Sequence, residues 1–333
     1  MEREARKTIL SPGESPDLSR YSKREGVHAQ DPLNFTLFRQ VERKYKHRNG
    51  PLDLSETIDL KNITNYPGVR SFATQEISAS EGSLLSECTP KAFTFDPIPG
   101  FVIFPGLLSQ KLQTCILNHA FYDCMKHPNL CSLDAIYHLP TDQPLLICVG
   151  KGISASCKRK EHVTVEINDE FIRKVRWFTL GYQYNWTTKE YDVEASPNVF
   201  PSLLDRISRE IAALAGFPDF VPQAGVVNLY QLKDTLMGHV DRSEKNMEMP
   251  LISMSIGHSC VFLMGGATRE CPVFPFILNS GDVVLFTQKC RMNYHGVPRI
   301  LEGTLPAWME DNSAIPCSIM RTSRMNINVR QVL

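Results

Sequence analysis

From residue 223 onward the sequence breaks into short apolar runs, at 225–232, 251–257, 260–265, 273–278, 282–287 and 324–333, with turn residues between them. Short runs with this punctuation are strands of a sandwich or barrel. The last run constrains the fold most. Arg324-Met325-Asn326-Ile327-Asn328-Val329-Arg330 alternates with period two, so Arg324, Asn326, Asn328 and Arg330 share one strand face and Met325, Ile327 and Val329 the other. Two guanidinium groups and two amides are too polar for a plain core, and a buried guanidinium without an anion is strongly unfavourable. An arginine pairs bidentately with a carboxylate, so an inward face of this kind suits a ligand with two carboxylates. A solvent-exposed face on an edge strand satisfies the same alternation.

His239-Val240-Asp241 lies just after the first of these runs, which carries Asn228 and Tyr230. Two positions apart on extended chain, the imidazole and the carboxylate point the same way. Taken alone, such a pair is a surface hydrogen-bond pair. His295 changes its meaning: it follows 56 residues later, after the strand Val283-Val284-Leu285-Phe286, and a barrel brings that part of the chain opposite the first. Two imidazoles and one carboxylate occupy one face of a metal ion and leave the remaining positions for substrate and dioxygen, the arrangement of non-heme Fe(II) oxygenases. No further Cys, His or Asp adjoins the pair, which suits an open site rather than a closed structural one.

The first half of the chain has a different character. Residues 1–30 are rich in Ser, Pro, Glu, Arg and Lys and are expected to be disordered. Over 31–48, Phe35, Leu37, Phe38, Val41 and Tyr45 interleave with Arg39, Arg43, Lys44, Lys46 and Arg48, a helix with one apolar and one basic face. Asp31-Pro32 supplies its N-cap and first residue. Its basic face either is solvated or meets a phosphate backbone. Residues 50–95 read as a connector with short elements, followed by a β-rich run at 99–106. A helix is expected over 109–126, with Leu112, Cys115, Ile116, His119 and Phe121 apolar. Another is expected over 201–216, capped by Gly216. The whole is an α+β chain whose C-terminal half is the sandwich or barrel.

Charge decides how an anionic polymer would be met. Formal net charge is zero, which excludes a generally basic coat and leaves local patches. One such patch is 151–176, where Lys151, Lys158, Arg159, Lys160, Arg173, Lys174 and Arg176 face Glu161, Glu166, Asp169 and Glu170, seven minus four leaving +3. Trp177, Phe178, Tyr182, Tyr184, Trp186 and Tyr191 follow at once, and basic groups beside aromatic rings suit phosphate contact with base stacking. Trp177 and Phe178 fit a strand core equally well, whereas Tyr182 and Tyr184 share a strand face at a surface or site. No stretch of 18 apolar residues occurs, so no membrane span is expected. The N-terminus lacks the apolar region of a signal peptide. Ten cysteines without a C-x2-C pair read as mostly buried thiols of a reducing, intracellular compartment.

Taken in order, Asn228-x-Tyr230, His239-x-Asp241, Ser280-Gly281-Asp282-Val283-Val284 through Arg291 and Tyr294-His295-Gly296, and Arg324-x-Asn326 with Arg330 resemble the AlkB family of Fe(II)- and 2-oxoglutarate-dependent dioxygenases. His239-Val240-Asp241-Arg242-Ser243-Glu244, Gly181-Tyr182-Gln183-Tyr184-Asn185-Trp186 and Val329-Arg330-Gln331-Val332-Leu333 look most like the branch of the first AlkB homologue of animals. The resemblance covers roughly 95–333, with a fainter echo over 31–48. It implies a double-stranded β-helix, or jelly-roll, with Fe(II) held by His239, Asp241 and His295 as the catalytic and metal set. Arg324 would pair with the distal carboxylate of 2-oxoglutarate, helped by Tyr230. Arg330 would sit near the carboxylate beside the metal, with Asn228 and Asn326 assisting. Tyr182, Tyr184, Trp177, Lys158, Arg159, Lys160, Arg242 and Ser243 would bind substrate. Where the bacterial founder of the family has an acidic residue, this chain has Ser243, then Glu244. Family members oxidise methyl groups on nucleobase nitrogens, and this branch is associated with methylated adenine in DNA and tRNA and with tRNA cytosine oxidation. The expected domain plan is an extension over 31–94 and a dioxygenase domain over 95–333 with nucleotide recognition near 151–195. The expected partners are dioxygen and tRNA or unpaired, flipped DNA, with no membrane, for a monomer in nucleus or mitochondrion, the cytoplasm also open. The chain stops at Leu333, just past the arginine strand, which leaves room for a further C-terminal extension. A protein side-chain hydroxylase on the same core, or a non-catalytic nucleic-acid-binding module, is the alternative.

Overall fold

The computed structural model describes residues 35–74, 83–85, 90–311 and 317–333. The expectation for residues 1–30 and the helix start at Asp31-Pro32 lie outside them. The unit from Thr36 to Leu333 is the one described below. It begins with α1 (Leu37–Lys46), then β1 (Ile58–Asp59), β2 (Val69–Phe72), β3 (Ala92–Phe95), β4 (Ile98–Phe104) and α2 (Gln110–His119). A small antiparallel sheet follows, of β5 (Tyr137–His138), β6 (Ser154–Cys157) and β7 (Lys160–Glu166), with α3 (Leu145–Cys148) inserted after β5. Next come α4 (Asp169–Ile172), β8 (Trp177–Gly181), the hairpin of β9 (Tyr184–Asn185) and β10 (Glu190–Tyr191), and α5 (Ser202–Leu214). The remainder is β11 (Ala224–Gln231), β12 (Leu236–His239), β13 (Leu251–Gly257), β14 (Cys260–Met264), β15 (Phe274–Leu278), β16 (Val283–Phe286), β17 (His295–Ile300), α6 (Ala307–Glu310), α7 (Cys317–Met320) and β18 (Ser323–Arg330).

Two sheets face each other. The larger has the order β2-β3-β4-β16-β13-β18-β11-β8 and the smaller β1-β15-β14-β17-β12. The chain passes between them as the last eight strands proceed: β11, β13, β16 and β18 lie in the larger sheet, β12, β14, β15 and β17 in the smaller. That is the jelly-roll. Period-two alternation sorts the residues into layers. Met325, Ile327 and Val329 are fully buried with Leu229, Ile252 and Leu285 against α2 and α5, which present Ile116, Leu117, Ile207 and Ile211. Each of those side chains contributes about 1.5–3 kcal/mol by leaving water. The opposite face looks between the sheets, where Phe95, Phe101, Phe262, Phe276 and Phe286 pack ring against ring.

Several expectations need correction. Helix α1 starts at Leu37, and Thr36 caps it by accepting a hydrogen bond from the Arg39 N–H. Its buried face is Phe38, Glu42 and Tyr45, so a carboxylate lies among the rings while Leu37 is exposed. Helix α2 ends at His119 and widens into a π-type turn over Ala120–Cys124. Its inward positions are Leu112, Gln113, Ile116 and Leu117, which leaves Cys115 exposed. Gln113 is buried because it donates to the Leu108 carbonyl and accepts from Ser280. Segment 50–95 is more than a connector: β1 joins β15, and β2 and β3 extend the larger sheet. Eight of the described cysteines are free thiols, and five of these are buried. No helix among the described residues is long and apolar enough to cross a membrane.

Candidate active site

Strands β12 and β17 pair so that His239 and His295 stand directly opposite each other, with ring centroids 4.4 Å apart. Each imidazole is oriented by the backbone two residues before it. His239 Nδ1 lies 2.9 Å from the Met237 carbonyl, and His295 Nδ1 lies 3.1 Å from that of Asn293. Donation from Nδ1–H to a carbonyl leaves the Nε2 lone pair free for a metal. Asp241, just past β12, places Oδ1 3.6 Å from His239 Nε2 and Oδ2 3.9 Å from His295 Nε2. One ligand atom from each residue lies within 4.8 Å of the others, the one such group of three His, Cys, Asp or Glu among the described residues.

Electrostatics keeps Asp241 and His295 deprotonated. Burial alone would raise the Asp241 carboxyl, but Arg330, then His239 and His295, outweigh it and hold it well below the usual carboxylate range. Burial, then the neighbouring His239, bring the His295 imidazole down to about 4, so it is neutral at physiological pH. Neutral imidazoles and an ionised carboxylate are what a divalent metal requires. The donor set therefore fits Fe(II).

A cavity between the sheets runs from His239 and His295 to Arg324, and Tyr230, Ser253, Asn326 and Asn328 line it with them. Arg324 is 1% exposed. Its Nη1 donates to the His258 carbonyl at 2.6 Å and its Nη2 to Ser255 Oγ at 2.6 Å, while its Nε has no partner among the described residues. No ion pair to a described carboxylate offsets this buried cation, so the floor of the cavity is built for an anion. Tyr230 is paired with Arg324 across β11 and β18, and burial raises its phenol far above the ordinary range, keeping the hydroxyl protonated. Asn228 pairs in the same way with Asn326, whose amide donates to Ser253 Oγ at 2.9 Å and the Met254 carbonyl at 3.0 Å. Metal-ligating residues at one end and a guanidinium without a carboxylate partner at the other fit 2-oxoglutarate.

Arg330, expected near the cosubstrate carboxylate beside the metal, is held by protein groups next to Asp241. Its Nη2 donates to Asp241 Oδ2 at 2.9 Å, and its Nη1 reaches Glu244 Oε1 at 3.2 Å and the Tyr191 hydroxyl at 3.0 Å. Glu244 also accepts from Arg291 at 2.9 Å, with both side chains at or below 1% exposure. The result is a buried chain, Arg291–Glu244–Arg330–Asp241, that anchors the metal-ligand turn. Arg330 sits at the far end of β18, where that turn and β10 close over it, so protein groups occupy its fork.

Trp177 pairs with Asn228 across β8 and β11 and therefore shares the site face, whereas Phe178 is fully buried on the helix side. Trp177 meets Trp186 at 4.6 Å between centroids, Trp186 meets Tyr184 at 4.8 Å, and Tyr184 meets Tyr191 at 5.2 Å. Tyr184 also joins Ser243 through a 3.2 Å hydroxyl contact, tying the hairpin to the metal-ligand turn. Tyr182 packs beneath this cluster. Sequence reading named Trp186 and Tyr191 only as aromatics and missed the roles of Glu244, Arg291 and Ser253, whereas the alternation of β18 already placed Asn328 on the cavity face.

The basic residues divide. Lys158, Arg159 and Lys160 are exposed at the β6–β7 turn and do not line the cavity, and Arg242 is exposed beside Asp241. Arg176, expected on phosphate, is instead ion-paired with Asp234. Three bases on or just past helix α1 are likewise engaged: Arg39 with Glu42, Lys44 with Glu56 at 2.6 Å, and Arg48 with Glu302 at 2.9 Å.

Residues 100–330 match the model of the 2OG-Fe(II) oxygenase superfamily. Fold, triad and cavity thus define an Fe(II)- and 2-oxoglutarate-dependent dioxygenase. The chain is 32% identical to the tRNA demethylase abh1 of Schizosaccharomyces pombe, over 89% of this chain and 95% of that protein. It is 32% identical to the nucleic acid dioxygenase ALKBH1 of Mus musculus, over 89% and 84% of the two chains. It is 30% identical to the DNA N(6)-methyladenine demethylase ALKBH1A of Arabidopsis thaliana, over 92% and 99%. The chain belongs to the AlkB family, on the branch of its first homologue.

Proposed function

We propose that this dioxygenase oxidises methyl groups on the nitrogens of nucleobases that are unpaired or flipped out of a helix, in tRNA or DNA. The observation that carries the reading is the aromatic cluster of Trp177, Tyr184 and Trp186, fastened through Ser243 to the turn that bears Asp241. Relatives named as demethylases of tRNA and of DNA N(6)-methyladenine support it.

Bound iron and 2-oxoglutarate supply the oxidation: dioxygen yields succinate, carbon dioxide and an N-hydroxymethyl group, which falls off as formaldehyde. The protein does the rest. His239, Asp241 and His295 would hold the ion, Arg324 with Tyr230 would pair with the distal carboxylate of 2-oxoglutarate, and Asn326 lines the cavity between, with Asn228 opposite it on β11. A base stacked inside a duplex could not bring its methyl group to a metal held by these three residues, so it must leave the stack. Trp186, 48% exposed, offers a ring for it to stack on, and Ser243 and Arg242 border its edge. Lys158, Arg159 and Lys160 take phosphates. The deciding experiment is mass spectrometry of nucleosides from tRNA and from methylated DNA treated with protein, Fe(II) and 2-oxoglutarate. Loss of a methylated nucleoside supports the reading. Succinate production with every nucleoside unchanged contradicts it and favours a protein substrate.

A further inference from the structure

Strand β12, which carries His239, lies at the edge of the smaller sheet, with β17 on one side only. Outward N–H groups of an edge strand need acceptors from outside the sheet. Helix α1 provides one here. The Gly238 N–H donates to Glu42 Oε1 at 3.1 Å, one residue before the metal ligand. Glu42 is 3% exposed, and Phe38, four residues earlier on the same helix face, is 2% exposed. Phe38 presses on the same residue: a Cβ on Gly238 would fall 2.3 Å from its ring. Beneath it, a Cβ on Gly296, next to His295, would fall 2.9 Å from the Leu236 carbonyl and 3.1 Å from the Gly238 nitrogen. Both histidines therefore adjoin glycines packed on each other, and α1 closes the stack from outside. The helix is fixed at its start, where the Phe38 N–H donates to the Arg269 carbonyl at 2.9 Å, and past its end, where Arg299 donates to the His47 carbonyl at 2.7 Å. An ion pair with Arg39 on the helix surface would not require Glu42 to be buried. Its burial follows from the Gly238 N–H.

We infer that Glu42 is a positioning residue for the metal centre: by accepting the Gly238 N–H it fixes the backbone from which His239 reaches the ion. The inference rests on the reading of His239 as a metal ligand. Reach, not charge, is the operative property. Gln retains an acceptor at the same distance, and Arg39, whose side chain is 38% exposed, can turn to solvent. Asp keeps the charge but falls one methylene short.

The test is titration of Co(II), a spectroscopic stand-in for Fe(II), into metal-free full-length protein, read by visible absorption, with folding checked by circular dichroism. Glu42→Ala and Glu42→Asp should each weaken Co(II) binding about tenfold and alter the band shape, the size seen when groups behind a ligand are removed. Glu42→Gln should stay within about threefold of wild type, by the same scale. Wild-type affinity and band shape in folded Glu42→Asp overturns the inference, as does a Glu42→Gln loss as large as that of Glu42→Asp. Comparing Gln with Asp keeps the test decisive if the Ala variant does not fold. Wild-type protein that binds no Co(II) would instead undo the metal-site reading itself.

Discussion

Arg324 and Arg330 lie six residues apart on one strand face, yet their surroundings ask opposite things of a substitution. Arg324 has only neutral partners, and its charge faces the cavity. Arg324→Ala should therefore leave the fold and metal binding near wild type and weaken 2-oxoglutarate about ten- to a hundredfold, the cost of roughly 1.5–3 kcal/mol for one charge-assisted contact. Isothermal titration of the metal-loaded protein reads this directly, and an unchanged dissociation constant rejects the assignment. Arg330 bridges two buried carboxylates, Asp241 and Glu244. Arg330→Ala should cost about 3–5 kcal/mol of stability in urea unfolding, because both charges lose a partner. A loss below about 1 kcal/mol, the size of an exposed pair, would show that the chain is not buried in solution. Asp282 supplies the pH dependence. Burial raises its carboxyl from 3.8 to about 6, against the pull of the Asn279 and Gly106 N–H groups. Between those values the folded protein keeps a proton that the unfolded chain has released. This contribution is fully present below about pH 4 and lost as pH rises through about 6, some 3 kcal/mol in all. Relative to wild type, Asp282→Asn should gain roughly that amount between pH 4 and pH 7. Parallel stability curves would contradict the shift. The triad and Arg324 were legible in the sequence because period two fixes which residues share a face. The partners of Arg330 were not, since Asp241, Glu244 and Tyr191 meet it from separate parts of the chain.

At the scale of elements, the strands carry the fold and short segments carry the recognition surface. Runs expected at 225–232, 251–257 and 260–265 appear as Ala224–Gln231, Leu251–Gly257 and Cys260–Met264, because buried β-branched and aromatic residues bounded by turns leave little choice. The two-residue strands of the β9–β10 hairpin carry no periodicity to read, and their place depends on Tyr184 and Tyr191 stacking. Helix α1 shows the complementary limit. Its basic stripe was plain, but Glu56 and Glu302, which pair with Lys44 and Arg48, lie 12 and 254 residues away in sequence. On the proposed function, phosphate contact is assigned to the exposed β6–β7 turn. Replacing Lys158, Arg159 and Lys160 together with Ala should weaken tRNA binding and lower its log–log salt slope by about 2 to 3, since each phosphate contact contributes just under one. Filter binding across salt concentrations measures it. A wild-type slope would move the binding surface elsewhere, most directly to Arg242 and Lys174.

On the scale of the molecule, two facing sheets enclose the cavity that ends at Arg324, and on the proposed function the side bordered by the β9–β10 hairpin would meet the substrate. A formal charge of zero fits this plan, because anions would be received at the cavity and the β6–β7 turn rather than over a basic surface. The central claim is that a methylated base, unpaired, is oxidised at the ion held by His239, Asp241 and His295. The most direct measurement is the ratio of formaldehyde to succinate for one N-methyladenine-bearing strand, presented single-stranded and then as a perfect duplex, with wild-type protein and Asp241→Ala. The account predicts a ratio near one for the single strand, slower turnover for the duplex, and neither product from Asp241→Ala. Succinate without formaldehyde from the single strand, or full activity in Asp241→Ala, would contradict it.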